Sequence, residues 1–230
     1  MAGRFAAPLR RAEISLAETD RIALARLVLA LSQKGVHDRR ILAAVEQIPR
    51  SLFVSAEWQA KALEDRPVAI ECGQTIDAPS ALAFMYQAAG IAPDHRVLEI
   101  GTGSGYGTAL IASLAAKVYT VERFRTLGEL AAERFATLHL DNVVASVHDG
   151  FEGFARNAPF HRIVVDGAIE VPPRALLDQL APQGVLIAAV GVAGRPQVLT
   201  RYVRRDKGLD IEPVGEVRRI ALVAGRAAAL

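Results

Sequence analysis

The stretch VLEIGTGSGYG (97–107) puts a glutamate, Glu99, two residues ahead of three alternating glycines, Gly101, Gly103 and Gly105. Glycines after an apolar run let the backbone turn tightly and approach a ligand where a Cβ would collide. A helix opening behind them would offer free N–H groups and the positive end of its dipole. The dinucleotide pattern G-x-G-x-x-G fails at its third glycine, where Tyr106 stands. A carboxylate beside the loop would repel a pyrophosphate but attract an ammonium group. S-adenosylmethionine carries an ammonium, a carboxylate, a ribose and an adenine, and two further acids suit it. Glu122 follows the next apolar run at the spacing of a ribose-binding acid. Asp149, in HDG (148–150), follows the third run and suits the adenine amino group, with Gly150 beside it.

These residues need a scaffold that gathers the ends of several strands. RVLEI (96–100), KVYTV (117–121), NVVASV (142–147), HRIVVDG (161–167) and GVLIAAVG (184–191) are short runs rich in Val and Ile. Helical patterns at 106–116, 125–138 and 173–180 separate them. Strand–helix alternation implies right-handed crossovers and a mostly parallel sheet covered on both faces. Upstream, helices are expected at 16–34, at 38–49 with Asp38 as N-cap, and at 79–90, while 50–79 is irregular. The tail 196–223, including QVLTRYVRR and IALVAG, alternates like antiparallel strands. The expected architecture is one α/β domain over 1–230, doubly wound on a mostly parallel sheet of the seven-stranded kind. It comprises a helical, substrate-side lead-in (1–90), a cofactor-binding core (91–191) and C-terminal strands (192–230).

The chain has 230 residues, 51% of them hydrophobic, ample for a buried core. Its 27 basic and 25 acidic residues are dispersed, without the basic, aromatic-laced stripe of a nucleic-acid binder. The run IALARLVLAL (22–31) is too short to span a bilayer and contains Arg26, so no membrane association and a cytoplasmic location are expected. The lone Cys72 excludes an internal disulfide and reads as a small packing residue rather than a nucleophile. The five histidines show no metal-ligand spacing, so no metal site is expected. Ser104 belongs to the glycine loop and has no triad signature around it.

IPRSLFV (48–54), GQTIDAP (73–79), RVLEIGTGSGYGTALIA (96–112), VYTVER (118–123), HDG, PFHRIVVDGA (159–168) and LAPQGVLIAAVG (180–191) together resemble the protein-L-isoaspartate O-methyltransferases. The resemblance runs over roughly residues 20–192 and implies a Rossmann-like methyltransferase fold. It implies methyl transfer from S-adenosylmethionine, leaving S-adenosylhomocysteine, to isoaspartyl carboxylates of damaged peptides or proteins. Implied on the cofactor side are Gln74, Thr75, Glu99, Gly101, Thr102, Gly103, Gly105, Tyr106, Glu122, Arg123, Asp149 and Gly150. Implied on the substrate side are Ile76, Asp77, Asp166, Val190, Gly191 and Arg219, with Asp77 at the catalytic position.

The substrate side departs from the family pattern. Asp77 stands where the pattern has a serine, Asp166 interrupts a TAA-like step, and Arg219 and Ala221 replace an aromatic residue and a proline. A serine donates a hydrogen bond to a carboxylate; an ionised aspartate only accepts. Two carboxylates about 4 Å apart at an effective dielectric near 20 repel by roughly 4 kcal/mol. Two readings of Asp77 stand open: an N-cap for the helix near Pro79, or a residue that selects a neutral nucleophile. The second makes the chain a relative with another acceptor, such as an unidentified small molecule. A third class is a binding module that holds the cofactor without turnover.

Overall fold

The structure is a computed structural model that describes residues 18–227. Whatever the first fifteen residues contribute lies outside them, as does the start of the helix expected from 16. The lead-in consists of α1 (Glu18–Gln33), α2 (Arg39–Gln47) and α3 (Pro79–Ala89). Asp38 caps α2, its carboxylate accepting from the Arg40 N–H. Between α2 and α3 the chain forms three short 3-10 turns and a two-strand antiparallel ladder, β1 (Val68–Ala69) with β2 (Thr75–Ile76).

The main sheet contains β3 (Arg96–Ile100), β4 (Lys117–Glu122), β5 (Val143–Val147), β6 (Phe160–Ile169), β7 (Leu180–Val190), β8 (Gln197–Arg205) and β9 (Gly208–Val217). Its order is β5-β4-β3-β6-β7-β8-β9. The five strands β3 to β7 pair in parallel, and β8 and β9 extend the sheet as an antiparallel meander. Crossovers run through α4 (Tyr106–Leu114), α5 (Arg125–Thr137) and α6 (Arg174–Asp178).

Period-two alternation divides the apolar strand residues between two interiors. Val97, Val118, Val164 and Ile187 face the side covered by α2 to α5. Leu98, Ile100, Tyr119, Ile163 and Leu186 face the side covered by Phe154, Leu176 and their neighbours. Burial on both faces explains why these strands read as continuous apolar runs.

Two expectations require correction. The helix expected over 173–180 is only the short α6, because β7 already begins at Leu180. The strand expected from IALVAG does not form. Residues 218–227 instead run across the ends of the central strands and touch the sheet at one parallel bridge, Ala168 to Ala221. The Ala168 N–H donates to Ile220 O and the Leu222 N–H donates to Ala168 O, both at 2.8 Å. Among the described residues no helix is long and apolar enough to cross a membrane.

Candidate active site

Strand order reverses between β3 and β6, which leaves a crevice beyond their carboxyl ends. A cavity of about 310 Å³ opens there. Gly101 to Ser104 form its floor. Gly101 has φ +98°, and a Cβ there would lie 3.0 Å from Asp166 O, so both torsion and crowding require glycine. Gly105 has φ +92° and turns the chain into α4; a Cβ would meet Phe135 Cε1 at 2.7 Å. Gln74, Thr75 and Ile76 form the opposite wall, with Thr102, Gly103, Glu122, Arg123 and Gly150 also facing the cavity.

Glu99 lies directly behind the floor with no exposed surface. One carboxylate oxygen accepts from the Thr108 and Thr120 hydroxyls, the latter at 2.7 Å. The other, Oε1, has no partner. Burial pushes its pKa up to about 7 against those hydrogen bonds, and nearby Glu122 adds to the rise. Glu122 is gripped by the Gly103, Arg123 and Phe124 N–H groups at 2.8 to 2.9 Å. Burial nevertheless raises its pKa. Asp149 caps a 3-10 turn by accepting from the Phe151 N–H at 2.9 Å. Gly150 and Phe151 face the cavity; Asp149 does not line it.

Three of the departures on the substrate side, Asp77, Asp166 and Arg219, form one cluster. Arg219, whose side chain is 2% exposed, donates through Nη1 to Asp77 and, at 2.8 Å, to Asp166. Its Nη2 donates to Ala81 O at 3.2 Å, and the Arg219 N–H donates to Gln197 Oε1 at 2.9 Å. Both aspartates face the cavity while the guanidinium stays behind them. The capping reading of Asp77 is thereby corrected. The N-cap of α3 is Ala78, with no side-chain cap bond; Asp65 instead receives the Ser80 N–H at 2.9 Å. Arg219 draws the Asp77 carboxylate away from the helix end.

Other expected residues stand back from the cavity. Tyr106 packs inward, edge-on to Phe53 with ring centroids 5.4 Å apart. Gly105 is spent on the turn; Val190 is the last residue of β7 and Gly191 follows it, and neither lines the cavity. Gly191 packs on Gln197, the residue that holds the Arg219 backbone. Sequence reasoning missed Arg50, which is 2% exposed. It donates to the carbonyls of Ala62, Glu64, Arg66 and Asp77 at 2.9 to 3.2 Å, fixing the segment that carries Asp77. Its signal was a lone cation inside the apolar IPRSLFV. Tyr86, whose hydroxyl is buried without a partner, was also missed, because a helical pattern hides such a group. Among the described residues no cluster of His, Cys, Asp and Glu could hold a metal.

A family model described as Protein-L-isoaspartate(D-aspartate) O-methyltransferase (PCMT) matches residues 23–227. A protein-L-isoaspartate O-methyltransferase of Azorhizobium caulinodans is 43% identical over 93% of this chain and 98% of that protein. One of Caulobacter vibrioides is 46% identical over 91% of this chain and 94% of its own. A solved protein-L-isoaspartate O-methyltransferase superposes with TM-score 0.80 at 26% identity, over 87% of this chain and 66% of that chain. A structure from Plasmodium falciparum, holding S-adenosyl-L-homocysteine, shares the fold with TM-score 0.74 at 23% identity, over 86% of this chain and 97% of that one.

Proposed function

The chain belongs to the protein-L-isoaspartate(D-aspartate) O-methyltransferase family, and from that membership we infer that it transfers a methyl group from S-adenosylmethionine to isoaspartyl carboxylates of peptides or proteins. The observation that carries this reading is one cavity walled by both GQTID and the glycine loop, so that donor and acceptor would meet in it. The residues present fit the cofactor. Glu99 Oε1, buried and unpartnered, is the acceptor a cationic ligand group would need.

Bound, the cofactor supplies a sulfonium methyl that is already electrophilic. An isoaspartyl carboxylate is already anionic, so the chain need provide no general base. Its task is in-line positioning and exclusion of water. Glu99 and the floor Gly101–Gly103 serve the methionine end, and Glu122 serves the ribose. Gln74, Thr75 and Arg123 close the cavity around these groups. Gly150 and Phe151 would flank the adenine, with Asp149 holding their turn by its cap. On the acceptor side, Asp77, Asp166 and the wall Ile220–Val223 would meet the peptide, and Arg219 neutralises the two acids from behind.

The test is labelled-methyl transfer to a short isoaspartyl peptide with its aspartyl counterpart as control. Base-labile label on the isoaspartyl form alone is the expected result. Protein that is stabilised by S-adenosylhomocysteine yet labels neither peptide overturns the reading.

A further inference from the structure

Gly107 lies inside α4, where no left-handed torsion calls for glycine. Glycine weakens a helix interior relative to alanine, so what it contributes here is the room of its missing Cβ. Three oxygens border that room. Tyr86 Oη, Glu99 Oε1 and Asp166 Oδ2 stand 2.6, 3.0 and 3.5 Å from where a Cβ on Gly107 would be. Gly107 and Asp166 also face the cavity, so the space adjoins it as a recess. Tyr86 and Glu99 are fully buried, and Tyr86 Oη and Glu99 Oε1 have no hydrogen-bond partner. The companion oxygens are engaged elsewhere. Glu99 Oε2 accepts from the Thr108 and Thr120 hydroxyls, and Asp166 Oδ1 accepts from Arg219 Nη1. Arg219 Nη2 donates away from the recess, to Ala81 O and Met85 Sδ.

Two carboxylate oxygens and one phenol oxygen around a small space are selective. An anion is repelled there, and an apolar group leaves the oxygens unpaired. A primary ammonium carries one positive charge and three N–H donors, which matches three oxygens of net negative charge. Tyr86 Oη can accept from it while turning its own proton toward a carboxylate. The chain's own charges do not balance these acids within the recess. Burial, and then the Glu99 charge, push the Asp166 pKa up to about 8, and burial pushes Glu99 up to about 7. Among the groups of S-adenosylmethionine, only the α-ammonium has this character. The sulfonium is a cation without N–H donors, and the adenine amino group is uncharged.

Resting on the S-adenosylmethionine part of the reading above, we propose that Asp166 Oδ2 and Tyr86 Oη join Glu99 Oε1 as the receptor for the α-ammonium group of the cofactor, with Gly107 leaving the room for it. Asp166 then stands where the two halves of the cavity meet. Its Oδ1 is held by Arg219 beside Asp77, on the acceptor side, while its Oδ2 serves the donor. One side chain thereby ties the seating of the cofactor to the acceptor wall.

Calorimetric titration of wild type, Asp166→Asn and Tyr86→Phe with three ligands tests this without turnover. The ligands are S-adenosylhomocysteine, its deamino analogue with hydrogen in place of the α-ammonium, and its decarboxy analogue, which keeps the ammonium. Wild type should bind the deamino analogue at least about tenfold more weakly than the parent. Asp166→Asn should weaken the parent and the decarboxy analogue about tenfold and leave the deamino analogue within about twofold. Tyr86→Phe should show the same selectivity at about threefold. Damage to the fold weakens all three ligands alike, so the ratio between ligands is the readout. Equal wild-type affinity for parent and deamino analogue, as when the recess takes only water, overturns the proposal. So does a parent-to-deamino ratio that either variant leaves unchanged. The methyltransferase reading survives both results, since labelled transfer to the isoaspartyl peptide tests it separately. Folded wild type that binds none of the three ligands overturns both.

Discussion

Arg219 is the residue on which the acceptor wall depends most directly. Removing it strands two carboxylates that have little solvent to replace it, and breaking a buried pair from one side costs about 3–5 kcal/mol. Arg219→Ala should therefore lower the unfolding free energy by about 3 kcal/mol in urea titration. Asp77→Ser should cost clearly less, because the guanidinium keeps Asp166 at 2.8 Å. Equal losses would mean that the two acids do not share the cation. The types at 77, 166 and 219 were each legible as departures, and their grouping on the substrate side was legible too. That they touch was not. The contact spans 142 residues, and no periodicity or local spacing encodes a pairing of that length.

At the level of elements, the strands and helices of residues 96–147 could be read to within two residues, because strands buried on both faces are apolar throughout, whereas β7 starts four residues before its expected start. The tail could not be read this way. Its alternation of Ile220 and Leu222 with smaller neighbours looks like a ladder strand, yet it belongs to an extended segment lying across strand ends. Period two reports an extended chain, not its partner. The capping reading of Asp77 fails for a related reason, since an aspartate near a helix start is a cap only if its side chain is free to turn back. Asp65 is the residue that receives the Ser80 N–H, so Asp65→Ala should destabilise by about 0.5–2 kcal/mol. Asp77→Asn should leave the unfolding midpoint of that helix, followed by hydrogen exchange, closer to wild type than Asp65→Ala does. The turn into α4 is a second test of element geometry. Gly105→Ala forces a Cβ to within 2.7 Å of Phe135 at a left-handed φ, and should lower thermal stability by at least about 1 kcal/mol.

Over the whole molecule, one buried acid links stability to ligand. Glu99 holds its proton more tightly when folded, near pH 7 against 4.5 for the free side chain. Its favourable contribution is therefore complete below about pH 4.5 and is lost as pH rises through about 7. A bound ammonium group would favour the ionised form and offset that loss. S-adenosylhomocysteine at a hundredfold its Kd should stabilise the chain by about 2.7 kcal/mol. The gain at fixed ligand concentration should be greater near pH 7.5 than near pH 5.5, as thermal melts at the two values would reveal. An equal shift at both would exclude Glu99 from the ligand's charged end. The sequence revealed the crevice through its glycines and acids, whereas the polar groups with no partner emerged only once Tyr86, Glu99 and Asp166 converged over Gly107.

The acid–guanidinium–acid wall also governs how the site can be altered. The family pattern, with a hydroxyl at 77 and an aromatic residue at 219, and the wall found here are each balanced. Single changes between them are not, because an aspartate introduced alone at 77 or 166 meets no cation and removing Arg219 alone strands both acids. Effects at 77, 166 and 219 should thus be strongly non-additive, with the triple exchange milder than its parts suggest. Engineering, like any earlier history of exchange at these positions, must treat 77, 166 and 219 as one unit; a scan that changes one residue at a time would miss the route that connects working sites.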